Sequence, residues 1–216
     1  MKCILFANGD YGQDLKPYRK MIAPDDLIIC ADGGANYAKL MKITPLCIIG
    51  DMDSITIETE EYFKKLKVQF RKFPRRKDFT DTQLAIAMAE ERQVKEIVFF
   101  GTLGRRLDHT MANIYAGLDV VKRGVKLTHY SPEMLLHIVR DQLELKGGEG
   151  ETVSVFALTD EAVGVSETGF EYDIENAVLK KDNPIGVSNR ILSNQAIIKV
   201  ENGVLAVFHY LYNSLL

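Results

Sequence analysis

The sequence predicts an α/β protein, with an N-terminal domain built on a mostly parallel sheet and a C-terminal all-β sandwich domain. Short apolar runs alternate with helical patterns through about the first 130 residues, which is typical of βαβ units. Beyond that point the helical periodicity fades, and strand-like runs separated by turn signals predict a sandwich. The composition, 46% hydrophobic and 26% charged over 216 residues, is that of a packed globular chain. We therefore expect two domains, 1–130 and 131–216.

The elements of the first domain follow from these patterns in chain order. Its predicted strands are 3–7, 27–31, 46–49, 68–73, 96–100 and 126–130, and its predicted helices are 34–41, 56–66, 81–92 and 109–122. In the last helix, five apolar residues recur at helical spacing, which predicts a face packed in the core. These residues are Met111, Ile114, Tyr115, Leu118 and Val121.

The second domain is predicted to contain strands only. Its predicted strands are 143–145, 152–157, 163–165, 177–179, 196–200 and 204–210. The turn sequence Asn202-Gly203 stands between the last two of these alternating runs. Because this dipeptide is a strong signal for a tight β-turn, it predicts a hairpin that joins them.

Charge, hydropathy and cysteine usage narrow the classes of partner. The net charge of −3 gives no general attraction to nucleic acid or to a membrane surface, and no apolar stretch reaches the length of a transmembrane helix. The apolar stretch 1–7 is too short for the core of a signal peptide, so we interpret it as the first strand. Cys3, Cys30 and Cys47 lie in or beside predicted strands, which indicates buried free thiols in a reducing compartment. We expect a cytoplasmic protein that binds neither nucleic acid nor membrane.

Two acids follow the third predicted strand directly. The apolar run 46–49 fits a central strand, Gly50 lets the backbone turn, and Asp51 and Asp53 follow at the carboxyl end, where open α/β sheets bind ligands. Two carboxylates this close repel each other, so a site that keeps both ionised needs a cation such as Mg²⁺. The alternative is a polar turn in which Ser54 or Thr56 caps the next helix.

Two more strand ends carry similar chemistry. The paired glycines of Asp32-Gly33-Gly34 would free backbone N–H groups for a phosphate, and the acid could join a metal cluster, although such a sequence is more often a turn. After the fourth strand, Thr80 and Gln83 match a capping box, so Thr80 could simply begin a helix whose dipole favours Asp81. Capping does not explain Lys77-Asp78, which directly precedes them.

The fifth strand end completes a candidate nucleotide site. The stretch 104–109 presents a glycine, two arginines and an acid–histidine pair, a plausible cradle for a triphosphate, although Asp108 could be only an N-cap and His109 a surface residue. The predicted rim of the sheet then carries the acids Asp32, Asp51, Asp53, Asp78 and Asp81 and the donors Lys77, Arg105 and Arg106. Acids alone would repel a nucleotide, whereas acids with basic groups and glycine loops describe a Mg²⁺–nucleotide site. The chain has no P-loop motif.

Four segments in order resemble the thiamin pyrophosphokinase family. They are Ala-Asp-Gly-Gly-Ala-Asn at 31–36, Gly-Asp-Met-Asp-Ser at 50–54, Lys-Asp-Phe-Thr-Asp at 77–81 and Gly-Arg-Arg-Leu-Asp-His at 104–109. In the second domain, Gly-Val-Ser-Asn at 186–189 resembles the Ser-Asn segment of that family. The resemblance spans nearly the whole chain, and four motifs in order are far more specific than any one of them.

The resemblance implies a reaction in which the primary hydroxyl of thiamin attacks the β-phosphorus of ATP, so that AMP leaves and thiamin diphosphate forms. It also implies a first domain that binds ATP and Mg²⁺, and a second that binds thiamin and forms a homodimer with sites near the subunit interface. The implied catalytic residues are Asp51, Asp53, Asp78 and Asp81, and the implied metal ligands are Asp32, Asp51, Asp53 and Asp81. The implied nucleotide-side residues are Asp32, Gly33, Gly34, Asn36, Lys77, Thr80, Arg106, Asp108, His109 and Asn113, and the implied thiamin contacts are Ser188 and Asn189.

The sequence departs from the family pattern at two places. Arg105 stands where the family usually has a second glycine, and the chain has no Trp, which some relatives stack on thiamin.

Two other functions are alternatives to this resemblance. The pair Asp51 and Asp53 would also fit the Asp-x-Asp metal site of a nucleotide-sugar transferase, but the other motifs would then be unexplained. A non-catalytic nucleotide or RNA-binding module could use the basic run 64–77, but the net charge of −3 disfavours it.

Overall fold

A computed structural model of the protein describes residues 1–76, 78–104, 106–146 and 148–211. The chain divides into two compact units, Met1–Ser131 and Pro132–Leu216. Across the described residues, no helix is long and apolar enough to cross a membrane, and the longest has 11 residues. Cys3, Cys30 and Cys47 are buried free thiols, as the sequence predicts.

The first unit is a parallel sheet with helical connections. Its strands are β1 (Lys2–Phe6), β2 (Leu27–Ala31), β3 (Cys47–Gly50), β4 (Gln69–Lys72), β5 (Glu96–Phe100) and β6 (Lys126–Ser131), and its helices are α1 (Lys16–Lys20), α2 (Gly34–Leu40), α3 (Ile57–Lys65), α4 (Asp81–Glu91), α5 (Leu107–Ala116) and α6 (Leu118–Lys122). The strand order is β6-β5-β1-β2-β3-β4, and every described pairing in this unit is parallel. The central strands are buried almost throughout, which is why their sequences are unbroken apolar runs. The predicted parallel sheet is confirmed.

Side-chain caps fix where two of the helices begin. Thr56 accepts a hydrogen bond from the backbone N–H of Thr59 at the start of α3. Thr80 and Gln83 form the predicted capping box at the start of α4, each side chain bonding the backbone of the other residue. Because both caps directly follow the loops after β3 and β4, they fix the point at which each loop enters its helix.

The predicted helix 109–122 is in fact two helices, α5 and α6, with Gly117 between them. A Cβ atom built on Gly117 would lie 2.5 Å from Leu127 Cδ1, so the glycine allows close packing on β6. Ile114 is buried as predicted, but Met111 is 43% and Tyr115 38% exposed, so the prediction that they lie in the core is wrong. Both residues lie within α5, before the break, so this helix buries a narrower face than the prediction assumed.

The second unit is an antiparallel β-sandwich, as predicted. Its strands are β7 (Met134–Val139), β8 (Gln142–Lys146), β9 (Thr152–Ala157), β10 (Glu161–Thr168), β11 (Ile174–Lys180), β12 (Asn189–Arg190), β13 (Gln195–Lys199) and β14 (Leu205–Tyr210). Within this unit, one set of paired strands has the order β12-β9-β14-β7 and the other β11-β10-β13-β8. A single buried cluster draws residues from both sets, including Val155 and Val207 from the first and Val165 and Ile198 from the second.

The predicted hairpin at Asn202-Gly203 is wrong. Strand β13 pairs with β8 and β10, whereas β14 pairs with β7 and β9, so the turn passes from one sheet of the sandwich to the other. Each strand finds two long partners in its own sheet, and this pairing outweighs the local preference of the turn. Strands β7 and β12 are absent from the strands predicted by sequence.

Candidate active site

Three carboxylates meet at the carboxyl ends of β2 and β3. Asp32 follows β2, whereas Asp51 and Asp53 follow β3, and one oxygen from each of the three side chains lies within 4.8 Å of the others. The two strands pair in parallel, and the backbone N–H of Asp32 donates to Ile49 O at 2.8 Å. Because parallel strands end at the same edge of a sheet, acids that are distant in sequence converge there.

Asp81, in the first turn of α4, lies near Asp32 on one side of Gly50. A Cβ atom built on Gly50 would lie 3.0 Å from Asp32 Cβ and 3.1 Å from Asp81 Oδ1. Gly50 also has a φ of +148°, a conformation that side chains rarely adopt. The absence of a side chain at this position therefore lets Asp32 and Asp81 approach each other.

The loop after β3 is held by its own side chains and by α2. Backbone N–H groups donate to carboxylates twice, from Asp53 to Asp51 Oδ1 at 3.1 Å and from Ser54 to Asp32 Oδ1 at 3.4 Å. The amide of Asn36 in α2 donates to Ser54 O at 3.0 Å and accepts from the N–H of Thr56 at 3.1 Å. Asn36 therefore acts as a brace that fixes the loop carrying two of the three clustered acids.

The electrostatics of the cluster favour a bound cation. Burial raises the pKa of Asp32, and the negative charges of Asp81 and Asp51 raise it further, while hydrogen bonds from Ser54 oppose this shift. Arg75 Nη2 lies 3.6 Å from Asp53 Oδ2 and partly offsets the negative charge of the cluster. Both side chains are substantially exposed, so this ion pair is weak. Three carboxylates with this spacing could bind a metal ion.

A cleft of about 630 Å³ lies over the acids, within the first unit. Its lining includes Asp32, Asp51, Asp53, Thr80, Asp81, Arg106, His109 and Asn113, all of which the sequence predicts as site residues. The lining mixes polar and apolar groups and carries both charge signs, and Gly9, Gly101 and Gly104 contribute to it. The structure thus brings together acids, basic groups and glycine loops from five strand ends.

Other predicted site residues lie elsewhere. Asp78 is exposed and is not among the residues that line the cleft, and Asp108 pairs with Arg106, with Arg106 Nε to Asp108 Oδ1 at 3.1 Å. This ion pair lowers the pKa of Asp108. Lys77 and Arg105 lie outside the described residues.

Gly33 and Gly34 are buried packing residues rather than part of the cleft lining. A Cβ atom built on Gly33 would lie 2.5 Å from Asn8 Cγ, and one on Gly34 would lie 2.2 Å from Phe6 O. These glycines let the start of α2 lie directly against the end of β1 and the residues that follow it.

Several lining residues are absent from the sequence prediction. Asn8 and Gly9 follow β1, Thr102 follows β5, and Thr82 lies one residue beyond Asp81. Their position after strand ends is the signal that could have found the first three, because every parallel strand of this sheet ends at the same edge.

In the second unit, the two predicted thiamin contacts differ in their exposure and in their hydrogen bonds. Ser188 is exposed with a φ of +62°, and its N–H donates to Ser154 Oγ at 3.0 Å. The amide of Asn189 donates to Glu167 Oε2 at 3.1 Å and to Tyr172 O at 2.9 Å. Its oxygen accepts from the N–H groups of Tyr172 and Arg190, so Asn189 braces the segment that presents Ser188.

Two family models match the chain. The one described as "Thiamin pyrophosphokinase, catalytic domain" matches residues 18–129, and the one described as "Thiamin pyrophosphokinase, vitamin B1 binding domain" matches residues 137–205. This chain belongs to the thiamin pyrophosphokinase family. The resemblance drawn from the motifs is therefore confirmed. Asp81 and the three clustered acids fall within the catalytic-domain match, and Ser188 and Asn189 fall within the match to the vitamin B1 binding domain.

Individual members of the thiamin pyrophosphokinase family are distant in sequence but close in fold. Thiamine pyrophosphokinase of Bacillus subtilis is 25% identical over 165 residues, covering 76% of this chain and 77% of that protein. Thiamine pyrophosphokinase 1 of Oryza sativa is 24% identical over 190 residues, covering 76% and 71%. The crystal structure of the Bacillus subtilis protein has a TM-score of 0.86 at 23% identity over 98% of this chain and 99% of that one. That of Geobacillus thermodenitrificans thiamin pyrophosphokinase has a TM-score of 0.85 at 21% identity and covers 100% of both chains.

Proposed function

We propose that this chain transfers the diphosphate of ATP to the hydroxyl of thiamin in a Mg²⁺-dependent reaction that gives thiamin diphosphate and AMP. The observation that carries the proposal is the gathering of Asp32, Asp51 and Asp53 beneath a cleft that also presents Arg106. A cleft of about 630 Å³ is of the size that small-molecule sites have. The family and the named relatives support this reaction over the transfer of a sugar from a nucleotide.

The donor set fits Mg²⁺. It consists of carboxylate oxygens, which hard divalent cations prefer, and their mutual spacing within 4.8 Å suits a shared ion. We propose that Asp32, Asp51 and Asp53 hold the ion, with Asp81 near Asp32 beside Gly50. When bound, Mg²⁺ would neutralise phosphate charge and orient the phosphates.

The remaining lining residues would bind and orient the nucleotide. Arg106 lines the cleft and carries a positive charge, so it would donate hydrogen bonds to phosphate oxygens. Lys77 would do the same. Thr80, His109 and Asn113 add polar groups to the same lining. Phosphoryl-type transfer depends mainly on positioning and charge neutralisation, so a rigid lining of this kind is what the reaction needs.

A hydroxyl nucleophile also benefits from a base that accepts its proton. The candidates for this base are Asp53, Asp78 and Asp81. Asp53 and Asp81 line the cleft, whereas Asp78 is exposed and does not belong to the lining. We therefore assign the accepting role to Asp53 or Asp81, and a supporting role to Asp78 in the loop before α4.

The second unit would supply the thiamin contacts and the dimer interface. We propose that Ser188 contacts thiamin and that Asn189, in addition to its bracing bonds, lies at the edge of that site. Large apolar side chains are exposed around this segment, among them Tyr172 at 67%, Val187 at 53% and Leu192 at 56%. An exposed apolar group of this kind suits association with a second copy of the chain, which sedimentation velocity would test.

We place the enzyme in the cytoplasm. Its three cysteines are free and buried, with the pKa of Cys3 raised to about 12 chiefly by burial. Such thiols are typical of proteins that act in a reducing compartment.

One assay tests the proposed reaction. Purified protein is incubated with ATP, Mg²⁺ and thiamin, and AMP and thiamin diphosphate are quantified together. We expect the two products in equal amounts and their loss on chelation of Mg²⁺. Formation of ADP with thiamin monophosphate, or consumption of a nucleotide sugar without AMP release, would contradict the proposal. Binding to RNA that needs no Mg²⁺ and weakens steeply with salt would instead favour a non-catalytic module.

A further inference from the structure

A buried histidine lies beneath the cleft and is hydrogen-bonded to its lining. His129, on β6, is 0% exposed, and its Nδ1 lies 2.7 Å from Thr102 Oγ1. Its ring stacks on Phe99 of the neighbouring strand, with centroids 4.9 Å apart. Stability alone would be served by an apolar side chain here, because a buried polar group is unfavourable unless it is fully hydrogen-bonded.

The contact continues from Thr102 across the cleft lining. The amide of Asn113 in α5 donates to Thr102 O at 3.0 Å, and its oxygen accepts from Thr82 Oγ1 of α4, also at 3.0 Å. Thr102 and Thr82 are both buried. Because the two ends of the amide have different partners, the orientation of Asn113 is fixed. We call His129, Thr102, Asn113 and Thr82 the His129 network.

The His129 network joins the two sides of the cleft. Thr82 directly follows Asp81 in the first turn of α4, on the acidic side. Asn113 lies one turn after His109 on α5, on the basic side. We propose that His129 is a positioning residue which, through Thr102 and Asn113, fixes the spacing between Asp81 and the nucleotide-binding residues of α5. This inference rests on the proposed function, since it assigns a role in the proposed reaction.

The test compares variants that keep or remove the polar contact. His129→Phe keeps a ring against Phe99 but removes the partner of Thr102, whereas His129→Asn keeps a polar group near the position of Nδ1. We expect His129→Phe to lower kcat by about tenfold to a hundredfold with the KM for ATP little changed, since small misplacements strongly affect transfer. His129→Asn should recover part of that loss. Leu127→Val, a buried change on the same strand, is the control for lost packing and should leave kcat unchanged.

Two further readouts separate positioning from a structural role. In a Thr102→Val background, His129→Phe should have little additional effect on kcat, because both changes break the same link. Hydrogen exchange of the Gln83 and Leu84 amides, which donate to Thr80 at the start of α4, should be about fivefold faster or more in His129→Phe and unchanged in Leu127→Val. Independent, multiplying effects on kcat, or unchanged exchange in His129→Phe, would overturn the inference. If the wild-type protein forms no thiamin diphosphate but the exchange still changes as expected, the proposed function fails while the link from His129 to α4 stands.

Discussion

Substitution of Gly50 by alanine would add one methyl group between Asp32 and Asp81. The new Cβ would lie 3.0 Å from Asp32 Cβ and 3.1 Å from both Cγ and Oδ1 of Asp81, closer than ordinary van der Waals contact. The two acids would have to separate by a few tenths of an ångström. The φ of +148° at this position adds backbone strain, which we place at about 1–3 kcal/mol in the free energy of unfolding.

Because the displaced groups are the proposed metal and catalytic residues, activity should fall more than stability. Displacements of this size in a site that works by positioning lower turnover by about tenfold to a hundredfold. We also expect the Mg²⁺ concentration for half-maximal activity to rise, because Asp32 would move away from Asp51 and Asp53. Turnover is measured as AMP release across a Mg²⁺ titration, and stability is measured by denaturant unfolding.

Gly124→Ala is the matched control. Gly124 also has a positive φ, +91°, but a Cβ atom there meets nothing within 4 Å. This variant should lose stability through backbone strain and keep wild-type turnover and Mg²⁺ dependence. If Gly50→Ala kept wild-type turnover and Mg²⁺ dependence as well, the reasoning that Gly50 spaces the two acids would be refuted.

Three further predictions concern other residues. Asp51→Asn and Asp53→Asn should each lower turnover by about two orders of magnitude or more in the AMP assay while far-UV circular dichroism stays unchanged, and near-normal turnover with unaltered Mg²⁺ affinity would contradict this. Arg106→Lys keeps the charge but not the planar fork, so the KM for ATP should rise about tenfold in steady-state kinetics, and an unchanged KM would remove Arg106 from the phosphate site. Burial, aided by His209, lowers the pKa of His137 to about 4 from its ordinary value of 6.5, so the unfolded chain binds more protons between these values. The free energy of unfolding should therefore fall by up to about 3 kcal/mol as pH drops from 6.5 to 4, and His137→Asn should flatten that dependence in denaturant titrations; an equally steep dependence in the variant would exclude this origin.

Local patterns predicted most of the first unit because its elements satisfy local rules. The apolar run at 27–31 coincides with β2, the run at 96–100, apolar after Glu96, coincides with β5, and the capping box at Thr80 marks the start of α4. The acids of the candidate site were also predictable. A parallel sheet sends all its carboxyl ends to one edge, so the residues that follow each strand meet there regardless of their distance in sequence.

What the sequence did not predict depends on partners that are distant along the chain. The turn at Asn202-Gly203 has the local signature of a hairpin, but β13 and β14 find better partners in different sheets. The break between α5 and α6 depends in the same way on a distant residue, because Gly117 packs closely on Leu127 of β6. Neither partner is visible in a window of neighbouring residues.

The site shows a further difference between belonging to a motif and contacting a ligand. Asn36 and Gly34 belong to the same motif as Asp32, yet Asn36 bonds the loop after β3 and Gly34 packs on β1. Their side-chain requirements are as strict as those of a ligand contact, because a lost brace or an added Cβ would displace the acids that the motif presents. A motif therefore identifies the set of residues that a site needs. Only the three-dimensional structure separates those that line the cleft from those, such as Asn36, that hold the lining in place.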